Sequence, residues 1–372
     1  GIIIVSLMES LWYLMIKGHR SGMEAVNIRT VREPLYNRLK VQLLEYIESE
    51  NLQILPTEKE LMARYGVSRN TLRRAVKELT AQKVLQPVQG LGTLVYPVPE
   101  VTKNSRILVL CDYYSQPFQN ETFNKLLFML NSSHLNSVVM MVDHENIDIA
   151  RFEEALKDCD GVIVDWFSSY ISELLEIVVR SGKKIICLRS PMGNGVPYLT
   201  EDIAAGYYKI TRHLLELGHT RIAFIGNSND PARMDGMRKA LKERGLSLLP
   251  ELMVYYDSNF RFTGFEGTEI LLERKVPFTA VIAHNDDTAL GIQERLLIAG
   301  KRIPEDISVI GFDNLSCSEF YPVPLTTCSG DAEAMIRAAI AYLFSARNSG
   351  MTLNRFFTPE LVIRKSTARL KA

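Results

Sequence analysis

The sequence predicts a mixed α/β protein, with a small helical domain preceding a larger domain of parallel β-sheets. The chain has 372 residues, more than one hydrophobic core usually organises, so two or three domains are expected. Residues 31–96 contain three helix-like stretches followed by two short strand-like stretches. From residue 106 onward, short apolar runs alternate with helix-like stretches, which indicates βαβ units whose parallel sheets are covered on both faces.

The composition is that of a soluble globular protein, with 47% hydrophobic and 23% charged residues. Lys and Arg number 43 and Asp and Glu number 43, so any nucleic-acid signal has to be local rather than global. The five cysteines are scattered and form no C-x-x-C pair. A disulfide framework and a zinc site are therefore not expected, and the cysteine usage predicts a reducing cytoplasm.

Residues 1–22 are predicted to be a non-native or disordered extension. Residues 2–16 are apolar but short for a membrane span, and Glu9 interrupts them. The cations Lys17 and Arg20 follow the apolar run, whereas a secretory signal carries them in front. A more ordinary sequence begins at Met23. The alternative interpretation is a weak membrane anchor.

Residues 31–96 begin with two predicted helices. Pro34 suits the first turn of a helix. Apolar residues then recur at four-residue intervals along one face, at Leu35, Leu39, Leu43 and Ile47. Thr57 and Glu60 have the spacing of a capping box, which predicts that a second helix begins here.

A third helix in this segment gathers the cations. Gly66 permits a tight turn before it, and Ser68 is a suitable N-cap. Its apolar stripe consists of Leu72, Ala75, Val76 and Leu79. Its opposite face carries Arg69, Arg73 and Lys77 at four-residue intervals, with Asn70 and Arg74 beside them. Such cations repel one another in isolation, whereas a polyanion would stabilise them. Two helices joined by a short glycine turn form a helix-turn-helix, whose second helix enters the major groove.

The segment resembles the gluconate-repressor (GntR) winged-helix family over about residues 32–96. The matching stretches are PLYNRLK, LPTEKELMARYGVSRNTLRRAVKEL and QGLGTLV. The resemblance implies double-stranded operator DNA as a partner, with Arg69, Thr71 and Arg73 at contacting positions and Ser68 at the helix cap. The full predicted DNA-binding set is Thr57, Ser68, Arg69, Asn70, Thr71, Arg73, Arg74, Lys77, Gly90 and Gly92. Leu91 stands where the family often has a basic residue, so the wing is expected to bind phosphate less strongly.

Residues 97–105 are predicted to be a linker, and residues 106–368 the larger domain. In doubly wound sheets, ligands bind beyond the carboxyl ends of the strands. Asn285, Asp313 and Trp166 follow three apolar runs, and Arg233 opens a helix-like stretch after a fourth. Amides, carboxylates and a guanidinium beside aromatic rings suit sugar-like polyols. Each polar residue alone is as well explained as a helix cap.

This larger segment resembles the effector domain of the lactose/galactose-repressor (LacI/GalR) family, which is related to periplasmic sugar-binding proteins. The matching blocks are DIAAGYYKITRHLLELGHTRIAFIG (202–226), ARMDGMRKALKERG (232–245), HNDDTALG (284–291), IPEDISVIGFDN (303–314), PLTTCSGD (324–331) and PELVIRKST (359–367). The resemblance implies two lobes enclosing an effector. The predicted effector-binding residues are Arg233, Asn285, Asp313, Asp202, Phe118 and Trp166. Joined to a GntR-type domain, this segment resembles the arabinose-repressor arrangement.

The sequence therefore predicts a cytoplasmic, homodimeric transcriptional repressor controlled by a small sugar or sugar derivative, with no membrane partner. It contains no phosphate loop, nucleophile elbow or metal-binding histidine spacing, so no catalytic residue, cofactor or metal is predicted. Residues 111–123 (CDYYSQPFQNETF) depart from the family pattern. That departure motivates an alternative hypothesis, in which the effector domain responds to a protein or phosphoprotein partner.

Overall fold

The computed structural model describes residues 35–50, 52, 54–82, 84–88, 92–95, 105–111, 117–142, 148–165, 171–189, 195–227, 230–257, 260–344 and 354–370. The predicted extension at 1–22 and linker residues 97–104 lie outside these ranges. Ser105, the last residue of the predicted linker, is buried, and its carbonyl accepts a hydrogen bond from Asn136 N at 2.9 Å. The predicted α/β fold class is confirmed, because a small helical domain with an antiparallel hairpin precedes two parallel sheets.

The N-terminal domain packs three helices and a hairpin around leucine side chains. Its elements are α1 (Leu35–Ser49), α2 (Glu58–Tyr65), α3 (Arg69–Ala81), β1 (Leu85–Val88) and β2 (Gly92–Val95). Leu39, Leu43, Leu72 and Leu79 are completely buried, as their helical spacing predicts. Leu35, the first residue of α1, is an exception and is 56% exposed.

The first lobe of the larger domain is a six-stranded parallel sheet with helices on both faces. Its strands are β3 (Arg106–Cys111), β4 (Asn136–Met141), β5 (Gly161–Asp165), β6 (Lys184–Leu188), β7 (Tyr198–Glu201) and β13 (Asn354–Phe357). Its helices are α4 (Pro117–Ser132), α5 (Ile149–Lys157), α6 (Ser172–Arg180) and α11 (Ala332–Phe344). The strand order is β13-β7-β6-β5-β3-β4. Alternate residues of β3 face opposite sides, so Ile107 packs with α4 and α11 while Leu108 packs with α5 and α6.

The second lobe has a four-stranded parallel sheet in the order β11-β10-β8-β9. Its elements are α7 (Ile203–Glu216), β8 (Ile222–Gly226), α8 (Pro231–Lys242), β9 (Met253–Tyr255), α9 (Arg261–Glu273), β10 (Ala280–Ala283), α10 (Asp286–Ile298), β11 (Ser308–Ile310) and the antiparallel pair β12 (Thr327–Ser329) and β14 (Glu360–Val362). Helices α9 and α10 touch backbone to backbone. A Cβ on Gly264 would lie 1.9 Å from Thr288 O, so only glycine allows this approach.

The chain crosses between the lobes three times. The crossings run from β7 to α7, from β12 to α11 and from β13 to β14. Hydrogen bonds join them: Asp202 N donates to Phe357 O at 2.9 Å, and the backbone of Gly330 donates to the Glu201 carboxylate. The two lobes border a cleft, which the three crossings close on one side. In both sheets the carboxyl ends of the strands face this cleft.

Candidate nucleic-acid interface and ligand cleft

Helix α3 is positioned by the caps that the sequence predicts. Thr57 and Glu60 form a reciprocal capping box at the start of α2, with Glu60 Oε2 accepting from Thr57 N at 2.8 Å. Gly66 ends α2 in the left-handed region at φ 61°. Ser68 then caps α3, since its Oγ accepts from Thr71 N at 3.3 Å and lies 2.9 Å from Thr71 Oγ1. Thr57 and Ser68 thus fix where the two helices of the helix-turn-helix begin.

The cationic face of α3 is open to solvent. The side chains of Arg69 and Arg73 are 64% and 63% exposed, and Asn70 and Lys77 are exposed beside them. Arg74 is also 63% exposed. Unlike Arg69 and Arg73, it packs on an aromatic ring, since its guanidinium lies 3.9 Å from the centre of the Tyr36 ring on α1. Gly92 is in β2, while Gly90 lies outside the described residues.

Sequence reasoning missed Glu58, which organises the two leading arginines. Its carboxylate accepts from Arg73 Nε at 2.7 Å and from Arg73 Nη2 at 3.2 Å, and Arg69 Nε lies 3.4 Å away. The hydrogen bond from Arg73 lowers the pKa of Glu58, with burial opposing the shift. In the free domain this acid therefore holds both arginines in place. DNA phosphates would compete with it for the same guanidinium groups.

In the second lobe, Arg233 is held by several neighbours at the start of α8. Its side chain is 12% exposed, and its Nε lies 2.7 Å from Asp230 Oδ2. Its Nη1 donates to the carbonyl of His284 at 3.3 Å, and its guanidinium lies 4.9 Å and 5.4 Å from the ring centres of Tyr207 and Phe312. The position predicted from the sequence is thus a preorganised cation beside a stacked pair of aromatic rings.

Asp313 lies within electrostatic range of Arg233. Burial raises the pKa of Asp313 well above its ordinary value, repulsion from Asp286 adds to the shift, and Arg233 opposes it. Asp286 is completely buried, and burial raises its pKa to about 7 although Thr327 Oγ1 donates to it at 2.6 Å. The backbone of Asp313 has φ 111°, a strained value for a residue with a side chain. Strain of this kind concentrates at binding sites.

The structure assigns helix-capping contacts to the other two predicted residues on this side. Asn285 is buried, and its Oδ1 accepts from Thr288 N at 2.8 Å at the start of α10. Asp202 Oδ1 accepts from Ala205 N at 2.9 Å at the start of α7. Both caps lie next to the cleft, so an effector role for either residue stays a prediction.

In the first lobe, the cleft is bordered by a buried ion pair. Asp165, at the carboxyl end of β5, is completely buried and pairs with Arg189, which follows β6. Arg189 has φ 70° and lies 6.0 Å from the ring centre of Phe118 on α4. Trp166 lies outside the described residues. The structure therefore places the predicted Phe118 beside a cation that the sequence analysis did not consider.

Glu201 connects the two halves of the cleft. It ends β7 and is only 8% exposed. Burial raises its pKa, and the charges of both Arg189 and Arg233 oppose that shift. The charges of one arginine from each lobe thus act on Glu201. Sequence reasoning missed Arg189 and Glu201, although both lie at the strand ends where it sought ligand-binding residues.

The lobes also touch directly. Glu121 on α4 accepts hydrogen bonds from Ser316 N, at 3.1 Å and 3.2 Å, and from the Ser316 hydroxyl. Ser316 belongs to the second lobe, in a short 3-10 helix after β11. Because no covalent segment joins these residues locally, the bond exists only while the lobes are near each other.

The described part of the chain lacks both a metal-ligand cluster and a membrane-spanning helix. No group of three or more His, Cys, Asp or Glu side chains in it is arranged to hold a metal ion. Every helix in the described ranges is too short or too polar to span a bilayer.

Family models match both segments. Residues 31–95 match the model "Bacterial regulatory proteins, gntR family", and residues 211–367 match "Periplasmic binding protein-like domain". These matches confirm both resemblances that the sequence analysis identified.

Curated proteins extend the similarity over most of the chain. The "HTH-type transcriptional regulator RegA" of Clostridium saccharobutylicum is 31% identical over 83% of this chain and 98% of its own length. The "Arabinose metabolism transcriptional repressor" of Halalkalibacterium halodurans is 27% identical over 91% of this chain and 98% of its own. Among solved structures, a ribose-bound LacI family transcriptional regulator from Enterococcus faecium is 25% identical, with a TM-score of 0.61 over 72% of this chain and all of that one.

Proposed function

Because this chain belongs to the helix-turn-helix transcriptional regulators, we propose that it is a repressor whose operator affinity is controlled by an uncharged sugar bound between its lobes. Its relatives are regulators of transcription, which confirms the prediction of a DNA-binding regulator rather than an enzyme. They do not favour the alternative of a protein or phosphoprotein signal. We also propose that the protein is a homodimer and that it is located in the cytoplasm.

One observation carries the choice of an uncharged ligand: the cations of the cleft are already paired within the protein. Arg189 pairs with Asp165, and Arg233 pairs with Asp230. Two more carboxylates, Glu201 and Asp313, lie near these arginines. The described groups therefore comprise two cations and four acids. A phosphate or carboxylate on the ligand would compete with these partners for the arginines and would approach the other acids.

The sequence that follows three strand ends supports the same choice. Segments 112–116 (DYYSQ), 166–170 (WFSSY) and 190–194 (SPMGN) follow β3, β5 and Arg189, and none contains Lys or Arg. Sugar hydroxyls can donate to carboxylates and accept from guanidinium groups, so they fit the existing charges without displacing them. The ring of Phe118, which is partly exposed, offers apolar surface for the sugar's C–H faces.

The printed descriptions of two relatives agree with a sugar effector. The Enterococcus faecium structure contains ribose, and the Halalkalibacterium halodurans protein is a repressor of arabinose metabolism. Ribose and arabinose carry no charge. We therefore place aldopentoses first among candidate effectors.

A homodimer is part of the proposal because one α3 can enter only one half-site. Two-fold operators place half-sites about one helical turn apart, and two helix-turn-helix domains bind them together. The second lobe exposes large apolar side chains that a second copy could cover, including Phe262 (55%), Ile298 (70%) and Phe320 (80%).

A ligand panel on the full-length protein tests the effector proposal. Calorimetry with D-ribose, L-arabinose and D-glucose should detect binding, whereas D-ribose 5-phosphate and D-glucuronate should bind at least tenfold more weakly. Arg233→Ala should abolish sugar binding. Arg238→Ala is a matched control, because Arg238 lies on the same helix, is 60% exposed and pairs only with Asp235 in the described contacts.

The panel separates three outcomes. Preferential binding of the phosphate or the uronate would reject an uncharged effector while keeping a sugar-responsive regulator. Equal losses in Arg233→Ala and Arg238→Ala would reject the site. If no compound of the panel binds while operator binding is intact, the sugar effector is rejected and the protein-partner alternative is favoured.

A further inference from the structure

The DNA-binding domain is packed against the first lobe of the effector domain. Leu94 of β2 is 4% exposed and belongs to the same apolar cluster as Ile336 and Ala338 of α11. Ile54 forms a β-bridge with Leu94 and packs against that cluster as well. The hydrophobic core of the effector domain therefore includes a residue of the wing.

Arg337 of α11 extends this contact. Its Cδ lies 3.9 Å from the position that a Cβ on Gly92 would occupy, and its Nη2 donates to Glu333 at 3.2 Å. We call this set of residues the docking contact: Ile54, Gly92 and Leu94 on the DNA-binding domain, with Ala334, Arg337 and Ala338 on α11.

The docking contact is loosely packed around its apolar centre. A cavity of about 630 Å³ lies beside it, lined by Ile54, Pro56 and Arg64 on one side and by Gly330, Ala334 and Arg355 on the other. A second cavity of about 510 Å³ is lined by residues of the DNA-binding domain and by Arg337. Both cavities are open to solvent, so the two domains touch over only part of the area between them. Such a contact can change its geometry at low cost, as interfaces between moving domains do.

Helix α11 begins at one of the three crossings between the lobes. Asp331 Oδ1 accepts from Ala334 N at 2.9 Å and so caps the helix. The preceding Gly330 approaches Glu201 so closely that a Cβ on it would lie 2.8 Å from Glu201 Cδ. Glu201 is the cleft carboxylate near Arg189 and Arg233. A displacement of Glu201 therefore acts on Gly330 and on the start of α11.

The other end of the docking contact leads to the DNA-binding face. Residues 54–57 run directly into Glu58, which holds Arg69 and Arg73. Both arginine side chains stay more than 60% exposed in the docked arrangement. Docking thus leaves the DNA-binding face open, and its effect is to fix the direction in which α3 points.

We propose that the docking contact transmits lobe movement from the cleft to the DNA-binding domain, through Glu201, Gly330 and α11. The proposal rests on the proposed function for the existence of an effector, and the physical contact itself does not depend on it. In a homodimer, a change in the direction of each α3 alters the spacing of the two recognition helices. A ligand that favours one lobe arrangement would thereby change operator affinity.

Ala334→Glu tests the docking contact. Ala334 faces the larger cavity and occupies the third position of α11, where glutamate favours helix formation. The charge should therefore leave the helix folded and separate the domains. Ala332→Glu is the matched control: it adds the same charge to the same turn, and Ala332 lines neither described cavity. X-ray scattering of the full-length protein should show a larger radius of gyration for Ala334→Glu only. The same radius for both variants, with both folded, would overturn docking.

The effect of a sugar on operator affinity tests the transmission step. Operator DNA selected from a random pool by the wild-type protein is titrated with and without D-ribose or L-arabinose. The wild-type affinity ratio should be roughly 5- to 150-fold. In Ala334→Glu the ratio should fall below about twofold, while calorimetric sugar affinity and sugar-free operator binding persist. A ratio that matches wild type in an undocked variant would reject transmission. If neither sugar changes the operator affinity of the wild-type protein, both are rejected as effectors. The scattering experiment then still tests whether the docking contact exists.

Discussion

Replacing Arg73 with alanine tests the assignment of α3 as the DNA-binding helix. Arg73 lies in the middle of the exposed cationic face, where it donates two hydrogen bonds to Glu58. Most of its side chain, 63%, is exposed to solvent. Arg73→Ala should therefore leave folding nearly unchanged, with a melting temperature within about 2 °C of wild type.

The expected loss is in DNA affinity. An arginine that binds a base edge or a phosphate typically changes affinity on the order of 5- to 150-fold when it is removed. On binding DNA, Arg73 has to give up its hydrogen bonds to Glu58, and this cost offsets part of the free energy gained from DNA. We therefore expect a loss of affinity near the middle of this range. If Arg73 contacts phosphate, the slope of log affinity against log salt should also fall by about one. If it contacts a base, discrimination at one operator position should relax instead.

Fluorescence anisotropy with the selected operator, at two or more salt concentrations, measures both quantities. Arg38→Ala is the control, because it removes the same charge from an exposed position on α1. An Arg73→Ala protein that binds as tightly as wild type, or no more weakly than Arg38→Ala, would falsify the assignment of α3.

Three further predictions concern groups that the sequence analysis did not single out. Glu58→Gln should raise affinity for random-sequence DNA about two- to fivefold in the same anisotropy assay, because Arg69 and Arg73 no longer have a competing carboxylate. Glu121→Gln should weaken sugar affinity about three- to tenfold in calorimetry, because it weakens the bonds to Ser316 that join the lobes, and an unchanged affinity would exclude a role in closure. Burial lowers the pKa of His219 in the folded protein, so the unfolded chain takes up the proton first and stability should fall as pH drops below about 6.5. Urea midpoints at pH 7.5 and 5.5 should therefore differ less in His219→Gln than in wild type.

The local features of the N-terminal domain were predictable because each depends on residues close in sequence. The capping box of Thr57 and Glu60 spans three residues, and the burial of Leu39 and Leu43 follows from helical periodicity. Glu58 was overlooked because its partner Arg73 is 15 positions away, across the turn between α2 and α3. Knowing that two helices pack does not tell which side chains meet.

The cleft was predictable only in part for the same reason. Asp313 and Arg233 were identified by their place at strand ends, whereas the pair of Arg189 and Asp165 depends on strand register. Asp165 stands opposite Leu188 in the parallel pairing of β5 and β6, so Arg189 extends one residue beyond that partner. The bond between Glu121 and Ser316 joins residues 195 positions apart in different lobes. No sequence period encodes a contact of this kind.

Glu201 illustrates how one buried acid can respond to both binding and closure. It belongs to the first lobe, and burial raises its pKa, which means that its charge is costly in this environment. Arg189 of the first lobe and Arg233 of the second lower that cost together. Separation of the lobes would remove the contribution of Arg233, so the ionised carboxylate favours the closed arrangement. A sugar hydroxyl that donates to Glu201 would add to this preference, whereas a ligand phosphate would compete with Glu201 for both arginines. The charge distribution from which we propose an uncharged ligand would thus also give that ligand different affinities for the open and closed states, as regulation requires.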